Sequence, residues 1–143
     1  MSALVVDASV AAKAFLPEEH SQECRQVLRS AELLLAPDHI YAEVAHAASR
    51  HVRLSGLPLD TALEALADFC RLPFQLEASR ELAPEACRLA ADTGCTAYDA
   101  LYVAVAMKHR CDLVTADARL WRTLERTPAA QRIRLIGRPG GAI

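Results

Sequence analysis

Two spacings of apolar residues alternate along this chain. Short, nearly continuous apolar runs occur at Ala3–Asp7 (ALVVD), Leu33–Pro37 (LLLAP), Phe74–Ala78 (FQLEA), Asp112–Asp117 (DLVTAD) and Ile133–Gly137 (IRLIG). Runs of four to eight residues bounded by acids, Pro or Gly suit strands; ALVVD reads as a buried parallel strand and FQLEA as a candidate third strand. Between them lie segments with helical spacing. Residues 8–16 read as a short helix ended by Pro17, and 20–31 as a second, with Cys24, Val27, Leu28 and Ala31 on one side. Residues 38–56 predict a long helix with Asp38 as N-cap and Gly56 as stop, and 58–72 another opened by Pro58. Residues 79–94 predict a helix in their second half, with Pro84 at its start. Residues 97–110 form a nearly all-apolar helix that should be buried on most sides, and 118–126 a last one.

Strands alternating with helices imply an α/β fold with a mainly parallel sheet of four to five strands. No linker, repeat or low-complexity segment interrupts the pattern. The expectation is one domain over residues 1–137, with RPGGAI at 138–143 as a flexible tail.

Composition narrows the class. The chain has 143 residues, 52% hydrophobic and 24% charged, with a formal net charge of −2. That balance argues against a general nucleic-acid binder but leaves room for local basic patches. No apolar run reaches the roughly 18–20 residues of a membrane helix. MSALVVDASV lacks a basic leader and carries an Asp inside its apolar stretch, unlike a signal peptide. The five cysteines, Cys24, Cys70, Cys87, Cys95 and Cys111, are odd in number and include no CxxC. They read as reduced, mostly buried thiols of a cytoplasmic protein. The histidines show no zinc-site spacing.

Four acids stand out by position. Asp7 ends the first strand, Glu43 lies in the first turns of the helix after the second, Asp99 opens the apolar helix before the fourth, and Asp117 follows that strand. Ligands in open parallel sheets bind beyond the carboxyl ends of the strands, so all four can share one edge. Each also has a local explanation. Asp7 and Asp117 could cap the helices that follow them, and Thr96–Asp99 has the form of a capping box. Glu43 could be one more solvated helix residue. Converging carboxylates would repel one another, and a hard divalent ion such as Mg2+ or Mn2+ removes that conflict. Acids with a hard ion and no nucleophilic Cys or Ser-His pair suggest phosphate-ester hydrolysis. Ser9 and Thr115 are placed to position a water or a ligand, or to bond locally.

The blocks DASVAAKAFLPEE, APDHIYAEVAHA, TAYDALYVAVA and LVTAD resemble, in order and over nearly the whole chain, the acidic blocks of PIN-domain ribonucleases. The closest resemblance is to the VapC type of toxin. It implies a three-layer α/β/α fold with Asp7, Glu43, Asp99 and Asp117 as the catalytic, metal-holding quartet for Mg2+ or Mn2+, supported by Ser9 and Thr115. It implies a cytoplasmic, metal-dependent endoribonuclease that leaves a 5′-phosphate and a 3′-hydroxyl. A homodimer and a VapB-type antitoxin as partner are implied as well. Lys13 matches a lysine frequent in relatives, whereas Ala14 stands where many have tryptophan.

Positive charge for RNA could come from Lys13, His46, Arg50 and Arg53, or from Arg119 and Arg122. Two other readings remain. A phosphohydrolase of another class would use Asp7 as a covalent nucleophile, but the second Asp such enzymes usually carry two residues on is Ser9 here. A non-catalytic binding module would use the acidic groove to hold a basic peptide.

Overall fold

The structure is a computed structural model in which residues 2–137 are described; the expected tail at 138–143 lies outside them. Five strands form one sheet, β1 (Ala3–Val6), β2 (Leu33–Pro37), β3 (Phe74–Glu77), β4 (Asp112–Thr115) and β5 (Ile133–Leu135), in the order β3-β2-β1-β4-β5. Every neighbouring pair is parallel, with Val5 opposite Leu35 on one side and Leu113 on the other. The central strands are buried on both faces, as their unbroken apolar runs require.

Seven helices connect the strands: α1 (Ala8–Phe15), α2 (Ser21–Ser30), α3 (Ile40–Ser55), α4 (Leu59–Cys70), α5 (Ser79–Thr93), α6 (Ala97–His109) and α7 (Ala118–Leu124). A 3-10 turn at Pro128–Arg132 precedes β5. Helices α1 to α4 pack on one another, and α5 packs on α6, which crosses β2, β1 and β4. Right-handed crossovers put the two sets on opposite faces, giving the three-layer α/β/α architecture. Chain direction across the sheet reverses between β1 and β4. That is where the carboxyl edge opens a crevice.

The apolar α6 is buried without a break from Ala100 to Val105 and on to Ala106. Its first residues stay at the rim, with Ala97 and Tyr98 exposed and Asp99 half-buried, and the helix enters the core from Ala100 onward. Gly56 ends α3 in the left-handed conformation, as its position predicts.

Two helix starts differ from expectation. Asp38 does not cap α3, whose cap position is His39 with no side-chain bond. Its Oδ1 instead accepts from the Ser79 N–H at 3.2 Å and caps α5 across the fold. Pro84 does not begin a helix; α5 starts five residues earlier and carries the proline inside. Leu82, Ala86 and Leu89 pack against the core from this helix, and their burial offsets the backbone bond that a proline cannot donate. All five cysteines are free thiols: Cys24 and Cys111 are buried, Cys95 half-buried, and Cys70 and Cys87 exposed. The last two lie on the outer faces of α4 and α5, so burial of most thiols is not what the fold provides.

Candidate active site

Asp7 leaves β1 at the reversal point, its N–H still bonded to Val114 of β4 at 3.1 Å. It occupies the cap position of α1 but makes no side-chain cap bond. Its Oδ2 accepts from the Ser9 hydroxyl at 2.9 Å and from the Thr115 hydroxyl at 2.5 Å. Ser9 also accepts from the Ala116 N–H, and Thr115 from the Asp117 N–H, so the two hydroxyls lock the start of α1 to the end of β4. Asp7 is 4% exposed. Burial pushes its carboxyl up to about 6; Thr115 and Ser9 pull it down, and Asp99 and Glu43 push it further up.

Glu43 stands one turn into α3. Its Oε1 accepts from the Tyr102 hydroxyl at 2.7 Å. His39, four residues earlier on the same helix, brings Nε2 to 2.9 Å from that oxygen. The ring is not aligned for a hydrogen bond, and both its nitrogens are buried without a hydrogen-bond partner among the described residues. The imidazole lies beside the rings of Tyr102 and Tyr98, at centroid distances of 5.0 and 6.3 Å. Tyr102 is completely buried, and the N–H of Ala8, the first residue of α1, also interacts with its phenol oxygen. Burial, then Asp7 and Glu43, hold this phenol in its protonated, donating form.

Asp99 sits in the first turn of α6. Thr96 Oγ1 accepts from its N–H at 3.1 Å, so half of a capping box is present. The Asp99 carboxyl is raised by burial and by the charges of Asp117 and Glu43, while Thr96 and the Arg119 guanidinium lower it. Asp117 is a true cap: its Oδ1 accepts from the N–H groups of Arg119 and Leu120 at 2.9 and 3.3 Å. The four acids thus share one field at one edge of the sheet, and local capping accounts for one of them fully.

Three of these carboxylates follow the same rule. Asp7 and Asp117 each have one oxygen held by two donors, and Glu43 has one held by the Tyr102 hydroxyl with the His39 ring beside it. No hydrogen bond among the described residues reaches the other oxygen. Among the described residues, no Lys or Arg makes an ion pair with any of the four. The donor set, carboxylates flanked by two hydroxyls and short of positive charge, fits a hard divalent ion in its chemistry. As the side chains lie, no three His, Cys, Asp or Glu groups among the described residues are gathered closely enough to hold one ion.

The candidate substrate residues divide. Lys13 is bound to Glu18 at 3.4 Å, and Glu18 also holds His51 at 3.0 Å. His46 and Arg50 line a groove of about 450 Å3 that begins at Glu43 and includes Glu18, Ala47, His51 and Leu54. Arg53 is exposed and does not line it. Two residues escaped the sequence reading, Tyr102 and His39. Their spacing carried the signal: Tyr102 is three positions from Asp99 and His39 four from Glu43, each one turn away on the same helix side.

The sequence model of a protein family described as PIN domain matches residues 4–126, a span that contains all four acids. Ribonuclease VapC3 of Pyrobaculum aerophilum is 37% identical over 120 residues, which is 82% of this chain and 91% of that protein. The crystal structure of PAE2754 from Pyrobaculum aerophilum has a TM-score of 0.68 with this fold, at 24% identity, covering 85% of this chain and 84% of that one. At that identity the likeness is one of fold.

Proposed function

The chain belongs to the PIN-domain family and is of its VapC ribonuclease type, and on that footing we propose that it is a Mg2+- or Mn2+-dependent endoribonuclease, the toxin of a toxin–antitoxin pair. The observation that carries the proposal is the paired use of oxygens at the carboxyl edge. Donors fix one oxygen each of Asp7, Glu43 and Asp117, and among the described residues no hydrogen bond reaches the other oxygen and no Lys or Arg pairs with the buried Asp7.

Asp7, Glu43, Asp99 and Asp117 would hold the ion. Bound there, it supplies a Lewis acid for the phosphoryl oxygen and an acidified water at neutral pH. The chain's own groups do the rest. Ser9 and Thr115 keep the Asp7 carboxylate from turning, and Tyr102 keeps Glu43 from turning. His46 and Arg50 offer charge to the RNA along the groove that starts at Glu43. A covalent role for Asp7 draws no support, because its reachable surface is small and Ser9 and Thr115 occupy one of its oxygens.

The remaining parts of the proposal follow from family membership. A single nuclease unit spans residues 1–137. A VapB-type antitoxin covers the acidic edge, and the exposed Leu54, Leu59 and Leu63 on α3 and α4 offer apolar surface for it. The protein works as a homodimer in the cytoplasm; among the described residues no helix is long and apolar enough to cross a membrane.

The test is cleavage of RNA by the purified chain, free of any partner, with Mn2+ or Mg2+. EDTA is expected to stop it, and the products should carry 5′-phosphate and 3′-hydroxyl ends. Cleavage that continues in EDTA, or leaves a cyclic phosphate, would sink the proposal.

A further inference from the structure

Helix α7 starts at the acidic site and turns an arginine-bearing face outward. Leu120 and Leu124 are buried against the core, one turn apart. Arg119 and Arg122 on the helix, and Arg126 in the turn that continues it, are exposed. Arg119 and Arg122, three residues apart, share one side of the helix about 4.5 Å apart along its axis, and Arg126 follows four residues on in the turn. No ion pair among the described residues involves any of the three. The helix is capped by Asp117 itself, and the charge of Arg119 reaches Asp99.

The opposite wall is electrically weaker. Lys13 is neutralised by Glu18, and the groove holding His46 and Arg50 also holds Glu18 and Glu43. Of the other arginines near an acid, Arg132 and Arg134 are both committed to Asp112. On the α7 side, Arg119, Arg122 and Arg126 have no acid partner among the described residues, whereas Arg50 shares its groove with Glu18 and Glu43.

We infer that Arg119, Arg122 and Arg126 form a phosphate-binding stripe that carries the backbone of single-stranded RNA to the acidic edge. The substrate class rests on the nuclease reading; the stripe itself rests on spacing, exposure and lack of acid partners. Arginine suits the task, since its planar guanidinium grips phosphate oxygens in pairs and keeps its charge at any working pH. The stripe carries no base-reading geometry, so it contributes affinity and path and leaves sequence choice to the site.

The test measures binding of a short fluorescein-labelled single-stranded RNA by anisotropy, in EDTA, across a salt series. The parent is compared with the triple variant Arg119→Gln, Arg122→Gln, Arg126→Gln. A control triple neutralises Arg29, Arg71 and Arg80, exposed arginines elsewhere. Each single-strand phosphate contact adds about 0.7 to the slope of log Kd against log salt, so the stripe variant should lose about 2 from its slope. Between about 50 and 200 mM salt the parent's Kd should then climb about twentyfold more than the variant's, and the control should follow the parent. If the triple variant folds poorly, the single variants should each lose about 0.7. An unchanged slope in the stripe variants, a control that changes as much, or RNA binding too weak to measure in the parent overturns the inference. Polyglutamate competing as well as RNA of equal charge would overturn it as an RNA site. Hydrolysis of bis(p-nitrophenyl) phosphate with Mn2+ is run beside it. Failure of that arm with RNA binding intact removes the nuclease reading and leaves the stripe standing.

Discussion

Removing one oxygen atom, by Tyr102→Phe, tests how the site is built. The Tyr102 hydroxyl donates to Glu43 Oε1 at 2.7 Å from a fully buried ring. A hydrogen bond to a charged group contributes about 1.5–3 kcal/mol. Glu43 keeps 33% of its side-chain surface in solvent, so the lower figure, about 1.5 kcal/mol, applies. At roughly 2–4 °C per kcal/mol for a chain of this length, the melting temperature should fall by roughly 3–6 °C. The functional effect is separate from that. Groups that orient a metal-binding carboxylate typically account for about 10–100-fold in metal affinity or activity. Circular dichroism in EDTA reads the first quantity. The Mn2+ concentration giving half-maximal RNA cleavage reads the second, and should rise within that range while the activity at saturating Mn2+ recovers. A variant that melts with the parent and needs no more Mn2+ would refute the idea that Tyr102 fixes Glu43.

The other predictions concern charge, capping and the groove. Asp7 has a folded pKa of about 6 against 3.8 unfolded, so its ionised form opposes folding in the metal-free protein. That opposition is complete above about pH 6, is relieved as pH falls from 6 to 3.8, and amounts to something on the order of 3 kcal/mol. In EDTA, Asp7→Asn should therefore melt above the parent at pH 7.5, with the gap closing toward pH 4; a gap independent of pH would contradict the assignment. Asp38→Ala should lower stability by about 0.5–2 kcal/mol through the start of α5, measured by urea denaturation, with RNA cleavage intact in the surviving folded protein. Arg50→Glu should slow RNA cleavage at moderate salt more than it weakens Mn2+ binding, and equal cleavage would remove that groove from the substrate path.

The central strands were legible because burial on both faces demands unbroken apolar runs, and LLLAP at Leu33–Pro37 matches the observed strand to the residue. Pro84 misled because local propensity favours proline in a first turn, while the packing of Leu82 and Ala86 outweighs it. Asp38 misled because a cap can serve a helix 41 positions away, which spacing along the chain does not reveal. The four acids could be grouped from strand ends alone. Their partners could not: Tyr102 in YVAVA reads as core, and only the fold shows its hydroxyl reaching α3. Lys13 looked available because Glu18, five residues on, lies beyond the helix that carries it.

In the proposed mechanism the four acids act together on a metal, and Asp99 is the one whose capping bond runs through its backbone N–H and is untouched by a change of side chain. The direct measurement is RNA cleavage by Asp99→Asn beside the parent, with Mn2+, after both have been shown to melt cooperatively in EDTA. Cleavage by Asp99→Asn should be lost while its melting temperature stays at or above the parent's, since burial and the neighbouring acids already disfavour that charge. Asp99→Asn cutting RNA as fast as the parent would contradict the central claim.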